Sequence, residues 1–289
     1  MLTPINPRQT PKTYFIDPED PNEMTRQLLL DETVTQGMGT LLPESLDLTQ
    51  VSRVLDLACG SGGWARNVAH TYPEIDVIGV DVSQRMVRYA YAQADRDALD
   101  NVTFQVMDIL EPLTFPDEAF DVVNARQIVG FMSTDAWTKL LQECMRITRP
   151  GGAIRLVEAE WGTSNGKACE QLAGRLIQAM WLKGHGFYPE GKLLGITLML
   201  THFLREAGLE DIQYKAHAID YSHGTEAHKK WYQNALYGYP LLLPFMQKAG
   251  VITEKEFDHL YQQALDEMQE PGFRGLFSFL SVWGTKSTV

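Results

Sequence analysis

Asp56, Gly60, Gly62, Asp81 and Asp108 are the residues whose types and spacing could do chemistry. In VLDLACGSGGWA, residues 54–65, Gly60, Gly62 and Ala65 satisfy the pattern G-x-G-x-x-G/A, with Asp81 at a distance suited to holding a ribose. Glycines in such a turn let a ligand approach the backbone, and the helix that follows offers amides and the positive end of its dipole. A dinucleotide pyrophosphate fits that turn and would make the chain an NAD-dependent oxidoreductase. Asp56 points elsewhere. A carboxylate four residues before Gly60 is poor company for a pyrophosphate and suits a ligand with an ammonium or sulfonium group, directly or through water.

The later acids extend the pattern. Asp81 closes the apolar run IDVIGVDV, and Asp108 closes NVTFQVMDI. If these runs are parallel strands, the three carboxylates stand at three strand ends and face one crevice. Asp81 can then accept both ribose hydroxyls, and Asp108 can meet an adenine amino group, with Ile109 against the ring. Any one of these acids is equally well a helix cap or a turn former. Together they favour S-adenosylmethionine over NAD.

The elements that must position these residues alternate. VSRVLDLA, IDVIGVDV, NVTFQVMDI, AFDVVNARQIVGF and AIRLVEAEW read as strands. Between them GGWARNVAHTYP, SQRMVRYAYAQADRDAL (with Ser83 as N-cap) and STDAWTKLLQECMRIT read as helices, and RPGG as a tight turn. That rhythm predicts a doubly wound, parallel, Rossmann-like sheet covered on both faces. Upstream, residues 1–22 hold five prolines and read as an extended arm, and 23–41 read as a helix ending at Gly37 and Gly39. Downstream, helices are expected over 166–184 and 191–207, flanking the loop GHGFYPEG. A strand follows over 211–221, then a helical insertion over 225–269 and a last strand, GFRGLFSFLSVWGTK.

At this point VLDLACGSGGWA, GVDVS, VMDIL, FDVVNARQ and RPGGAIRLVE together resemble the successive motifs of class I S-adenosylmethionine-dependent methyltransferases, nearest to the UbiE-like small-molecule group. The resemblance is specific from about residue 51 to 160. It implies a seven-stranded sheet whose last strand is antiparallel, with residues 1–50 as an arm and helix covering the cofactor site and 51–289 as the methyltransferase domain. Helical caps fall at about 164–207 and 225–269. It also implies that Gly60 and Gly62, with Ser61, line the methionine moiety, and that Asp81, with Val82 and Met86, holds the ribose. Asp108 and Ile109 would meet the adenine, and Asn124 would lie beside the cofactor. Asp56 is the motif's acidic position. Cys59 departs from the small residue that many members carry there.

Methyl transfer from a sulfonium is an in-line displacement that needs alignment and exclusion of water, and a base only when the acceptor is neutral. The candidate base is His185 in the glycine-flanked loop, with Tyr188 and Glu158 as further candidates. Tyr14 could close over the cofactor, and Arg26 could reach its carboxylate. Trp161, Trp231, Tyr232, Tyr237 and Tyr239 suit an apolar, enclosed pocket, although aromatics at helical spacing are more often core than substrate platform. These features predict a small aromatic or polyketide-like acceptor and O-methylation, with N- or C-methylation or a non-catalytic cofactor-binding scaffold as alternatives. No cluster of acids for a metal is evident.

The bulk numbers agree with a small-molecule partner. Hydrophobic residues are 44% and charged residues 21%, an ordinary globular balance. With 37 acidic against 25 basic residues the net charge of −12 repels phosphate backbones and anionic lipid, so no nucleic acid and no membrane partner is expected. NARQ at 124–127 is also unlike the Asn- or Asp-Pro-Pro-aromatic motif of the family's base-methylating members. Three cysteines without metal spacing and an N-terminal MLTPINPRQTPKTYF without an apolar core suggest a cytoplasmic setting. The helical insertion could equally serve a homodimer interface.

Overall fold

The structure is a computed structural model that describes residues 15–288. Near-continuous runs of Val, Leu and Ile form the strands β1 (Arg53–Leu57), β2 (Asp76–Asp81), β3 (Val102–Val106), β4 (Phe120–Arg126) and β5 (Thr148–Ala159). Such runs are the mark of strands buried on both faces. Between them lie α2 (Gly63–Thr71), α3 (Gln84–Arg96) and α4 (Ala136–Ile147). Ser83 caps α3 by accepting the Met86 amide at 3.1 Å. The RPGG segment is not a separate turn. It forms the irregular start of β5, where the pairing with β4 shifts register and Gly151 takes φ +75°.

The sheet runs β3-β2-β1-β4-β5-β8, with β7 (Leu209–Asp220) on the far edge of β8 (Gly275–Lys286). β1 to β5 are parallel, and β8 is antiparallel to both β5 and β7. The expected sheet with an antiparallel last strand is therefore present. A two-residue strand, β6 (Thr163–Ser164), continues along the same edge of β8 as β5: Ala159 faces Phe279, and Thr163 faces Leu276. Residues 160–162 bow out between them. The strand order reverses between β1 and β4, the switch point at which open α/β sheets bind ligands beyond their carboxyl ends. Asp56, Asn124 and Arg155 are register neighbours across β1, β4 and β5. They share a face with Val54 and Val122, which cluster with Trp64 and Val68 of α2. Trp137 of α4 anchors the larger core on the other face.

Helix α1 (Pro21–Met38) begins two residues earlier than the sequence reading places it. Proline is favourable at the first helical position, and the Asp20 side chain caps the Asn22 amide, so Pro21 opens the helix instead of ending the arm. Gly39 ends it with φ +71°, while Gly37 lies within it. A Cβ at Gly37 would come within 2.6 Å of Ile219, because α1 crosses β7 there.

The region 225–269 is two helices, α7 (His228–Lys248) and α8 (Glu254–Gln269), the second opened by a capping box of Thr253 and Glu256. Pro240 inside α7 has no amide for the Leu236 carbonyl, and the Tyr261 hydroxyl of α8 donates to that carbonyl at 2.8 Å instead. α5 (Lys167–Leu182) and α7 supply walls of the cavity over the carboxyl ends of the strands, while α8 packs on α5 and α7, and α6 (Ile196–Glu206) packs on β5, β7 and β8. α1 packs against α7 closely enough that a Cβ at Gly238 would meet Arg26 Cδ at 2.8 Å. Ahead of α1, Phe15 stacks on Phe245 at 4.1 Å, and Glu19 accepts the Ser83 hydroxyl at 2.8 Å.

Candidate active site

A cavity of about 220 Å³ lies over the switch point. Asp81, Val82, Met86, Asp108 and Ile109, candidates from the sequence, are among its lining residues. The carboxyl ends of β2 and β3 place them there. Asp81 accepts the Gly60 amide at 2.9 Å and the Ser83 amide at 2.8 Å, so it ties the glycine turn to β2 while keeping lone pairs for a ligand hydroxyl. Burial raises its carboxyl to about 6 against the pull of those amides. Asp108 accepts the Leu110 amide at 2.9 Å.

A smaller cavity of about 40 Å³ adjoins the first, with Gln27, Leu30, Ala58, Arg126 and Gln127 on the walls of both. Asp56, Gly60 and Ser61 line it. Asp56 is 1% exposed, and its Oδ1 accepts Asn124 Nδ2 at 2.7 Å. Burial lifts its carboxyl to about 7, opposed by Arg126 and by the Asn124 bond. Asp56 Oδ2 and Ser61 Oγ are buried without a hydrogen-bond partner. Buried polar atoms of that kind call for a ligand. Gly60 (φ +54°) faces this space, and a Cβ there would sit 3.3 Å from Gln27 Oε1.

Several expectations need correction. Gly62 does not line a cavity. With φ +73° it is the N-cap of α2, and a Cβ on it would strike the Phe104 ring at 2.6 Å. Its smallness serves helix–sheet packing. Asn124 is fully buried behind Asp56 and lines neither cavity. Arg26 does line the larger cavity, forked onto the carboxylate of Glu23 with both bonds at 2.7 Å. Tyr14 lies outside the described residues.

None of the three proposed catalytic side chains lines either cavity. His185 is 5% exposed, with Nδ1 3.0 Å from the Met132 carbonyl, and burial lowers its pKa. Glu158 is fully buried and accepts the Ile128 and Val129 amides at 2.7 and 3.3 Å. Burial pushes its carboxyl up to about 8. Tyr188 packs against Gly195, where a Cβ would come within 2.7 Å of the Tyr188 nitrogen. Of the acids ending β5, Glu160 reaches the cavity wall, and it accepts the Gly195 amide at 2.9 Å and the Thr197 hydroxyl at 2.9 Å.

The sequence reading missed Gln27, Asp31, Arg126 and Gln127. Arg126 had a signal: a cation in the otherwise buried strand FDVVNAR. Gln127 sits at φ +55°, an uncommon conformation for a residue with a side chain. Among the described residues no group of three or more His, Cys, Asp or Glu could hold a metal, and no helix is long and apolar enough to cross a membrane.

Acids at or just beyond the carboxyl ends of β1, β2 and β3 gather around the glycine turn in a sheet whose last strand is antiparallel, the arrangement of a Rossmann-like methyltransferase fold. A methyltransferase-domain family model matches residues 54–152. The secondary metabolism regulator laeA of Coprinopsis cinerea is 27% identical over 284 residues, covering 90% of this chain and 67% of that protein. The 27-O-demethylrifamycin SV methyltransferase of Amycolatopsis mediterranei is 34% identical over 126 residues, 43% of this chain and 45% of that one. The chain thus spans about half to two thirds of the length of these curated relatives. In fold it is similar to phosphoethanolamine N-methyltransferase 2 of Haemonchus contortus, with TM-score 0.54 at 16% identity, covering 98% of this chain and 61% of that one. Residues 54–152 thus carry a methyltransferase domain, and the chain is similar to class I S-adenosylmethionine-dependent methyltransferases of the UbiE-like type. The cofactor that such a methyltransferase domain takes is S-adenosyl-L-methionine, which leaves as S-adenosyl-L-homocysteine.

Proposed function

We propose that this chain methylates a hydroxyl of a small, largely apolar acceptor of aromatic or polyketide-like character. One observation carries the reading. Besides Asp81 and Asp108, the cavity is lined by Phe15, Val129, Trp161, Met180, Leu194 and Trp231. Such walls favour a flat, apolar guest and exclude water from a displacement. The cofactor supplies the electrophilic methyl group. The chain's residues hold and align: Asp81 with Val82 and Met86 at the ribose, Asp108 and Ile109 at the adenine, and Asp56, Gly60 and Ser61 at the methionine head. Asn124 acts behind Asp56. Residues 1–50 cover the cofactor through α1, and the elements at about 164–207 and 225–269 cap the acceptor end. Trp161 is steered by Tyr239, whose hydroxyl takes a side-chain hydrogen bond from it. Similarity to a regulator of secondary metabolism and to a rifamycin methyltransferase supports an acceptor of this class.

The test is incubation with methyl-labelled cofactor and a panel of phenols, polyketides and amines, with the product bond located by mass spectrometry. An O-methyl product from a phenol or polyketide is expected. Transfer to nitrogen or carbon overturns the O-methyl assignment. Transfer only to protein or nucleic acid overturns the acceptor class.

A further inference from the structure

The smaller cavity holds an ion pair that the cofactor assignments above leave unused. Arg126, at the end of β4, is 9% exposed, and its Nη2 contacts Asp31 Oδ1 of α1 at 2.5 Å. Its Nη1 donates to Thr35 Oγ1 at 3.1 Å, its guanidinium lies 5.4 Å from the centre of the Trp64 ring, and its Nε is buried without a partner. Asp31 and Arg126 both line the 40 Å³ cavity, together with Asp56 and Ser61. The Asp31 carboxylate also lies against the first residue of α2, so closely that a Cβ on Gly63 would be 1.9 Å from its Oδ2. A helix N-terminus and a guanidinium thus converge on one carboxylate, the surroundings that favour an anion. Across the same small space Asp56 Oδ2 has no partner, which is the complement of a cation. One cavity therefore presents an anion site that a side chain fills and a cation site that nothing fills. A zwitterionic α-amino-acid head has both charges on adjacent atoms.

We infer that Arg126 receives the α-carboxylate of the cofactor's amino-acid head, and that Asp31 occupies that place until the head displaces it. Asp31 is the more mobile partner in chemical terms: it is 19% exposed on a helix, whereas Arg126 is fixed on a core strand beneath it. Because Asp31 belongs to α1, the exchange also replaces a tether between the covering helix and β4 with a bond to the ligand. Cofactor binding and the hold of α1 on the sheet are thereby coupled. Arg26, already forked onto Glu23, keeps that pairing.

The test compares two probes by calorimetry on the full chain: S-adenosylhomocysteine, and 5′-methylthioadenosine, which has the nucleoside and the sulfur but no amino-acid head. The inference rests on the cofactor assignment, which binding of methylthioadenosine checks separately because that probe never meets Arg126. Arg126→Gln is expected to weaken S-adenosylhomocysteine by about tenfold or more while changing methylthioadenosine less than about twofold, as loss of a charge-assisted bond to one part of a ligand requires. Arg126→Lys, the milder change, should retain part of that affinity, and it serves if the glutamine variant does not fold. Asp31→Asn should tighten S-adenosylhomocysteine and leave methylthioadenosine unchanged. Equal losses for both probes in the Arg126 variants would make the residue structural and overturn the inference. So would a selective loss of the head in Arg26→Gln but not in Arg126→Gln, or weaker homocysteine-probe binding in Asp31→Asn. Wild-type protein that binds both probes equally tightly would overturn it as well.

Discussion

Asn124 Nδ2 donates to Asp56 Oδ1 at 2.7 Å, across the two strands between which the sheet reverses its order. The bond spends one carboxylate oxygen on the core and leaves the other turned toward the smaller cavity. Beyond Asn124, Arg155 continues the polar row on β5, and it donates to the Leu41 carbonyl past the end of α1. The acid of the glycine motif is thus a buried carboxyl held at a fixed angle, with Arg126, Arg155 and Asp31 as the nearby charges.

That burial has a pH consequence. With Asp56 raised from 3.8 to about 7, the folded, unliganded protein favours the protonated acid. Its contribution to stability is complete below the ordinary carboxylate pKa and is lost as the pH rises through about 7. A cationic ammonium favours the ionised form, so affinity for S-adenosylhomocysteine should climb between pH 6 and about 7 and then level off. Asp56→Asn should raise the melting temperature of the free protein at pH 8, not at pH 4, and flatten the affinity profile. Calorimetric titrations and melting curves at several pH values check both halves.

The two glycines of the turn should separate by phenotype. Gly62→Ala places a methyl inside the Phe104 ring contact and on a left-handed backbone, so it should cost about 1–3 kcal/mol of stability. Gly60→Ala shares a left-handed backbone (φ +54°) but meets only the tip of Gln27, so it should cost less stability than Gly62→Ala and weaken cofactor binding more. Denaturant melts against calorimetric affinities resolve the pair. Equal stability losses would remove the distinction.

His185 should behave as a strut. Its Nδ1–H donates to the Met132 carbonyl, joining the loop after α5 to the turn after β4. Burial lowers its pKa, so its contribution to stability is full above the ordinary histidine pKa and shrinks as the pH falls below it. His185→Gln is expected to lower the melting temperature near neutral pH and to shrink its fall toward pH 5. Once an acceptor is in hand, the pH–rate profile should keep its shape. Loss of the acidic limb of that profile, the fall in rate as a base protonates, would restore histidine as the base.

Tyr261→Phe removes the only change α8 makes to the proline break in α7, leaving the Leu236 carbonyl without the hydroxyl. About 1 kcal/mol of stability should be lost, the net value of one such bond. A denaturant melt measures it, and hydrogen exchange should place the loosening in α7 around Pro240.

The strands, and the acids that end them, were legible because both are written locally. Parallel strands between two helical layers must be apolar throughout, so Asp56, Asp81 and Asp108 stand out where those runs end. The acceptor end was not legible. Whether Glu158 or Glu160 reaches the cavity depends on where β5 leaves β8, and whether His185 faces inward depends on how the loop after α5 folds back on Met132. Neither fact is local in sequence. On α1, Gln27 and Asp31 look like ordinary polar positions of a surface helix until β4 brings Arg126 beneath them. Gly62 was misread for a related reason, since its neighbour Phe104 is contributed by a strand some forty residues away.

The break between β5 and β6 has a consequence for divergence. Residues 160–162 leave β8 and return to it within one short span, so the pairing on either side stays in step while the bow between is free of the ladder. Glu160, Trp161 and Gly162 all line the cavity. Replacing them alters the shape of the cavity without sliding any strand past its neighbour. Change at three positions can therefore reshape the cavity while the sheet that carries it is inherited unchanged.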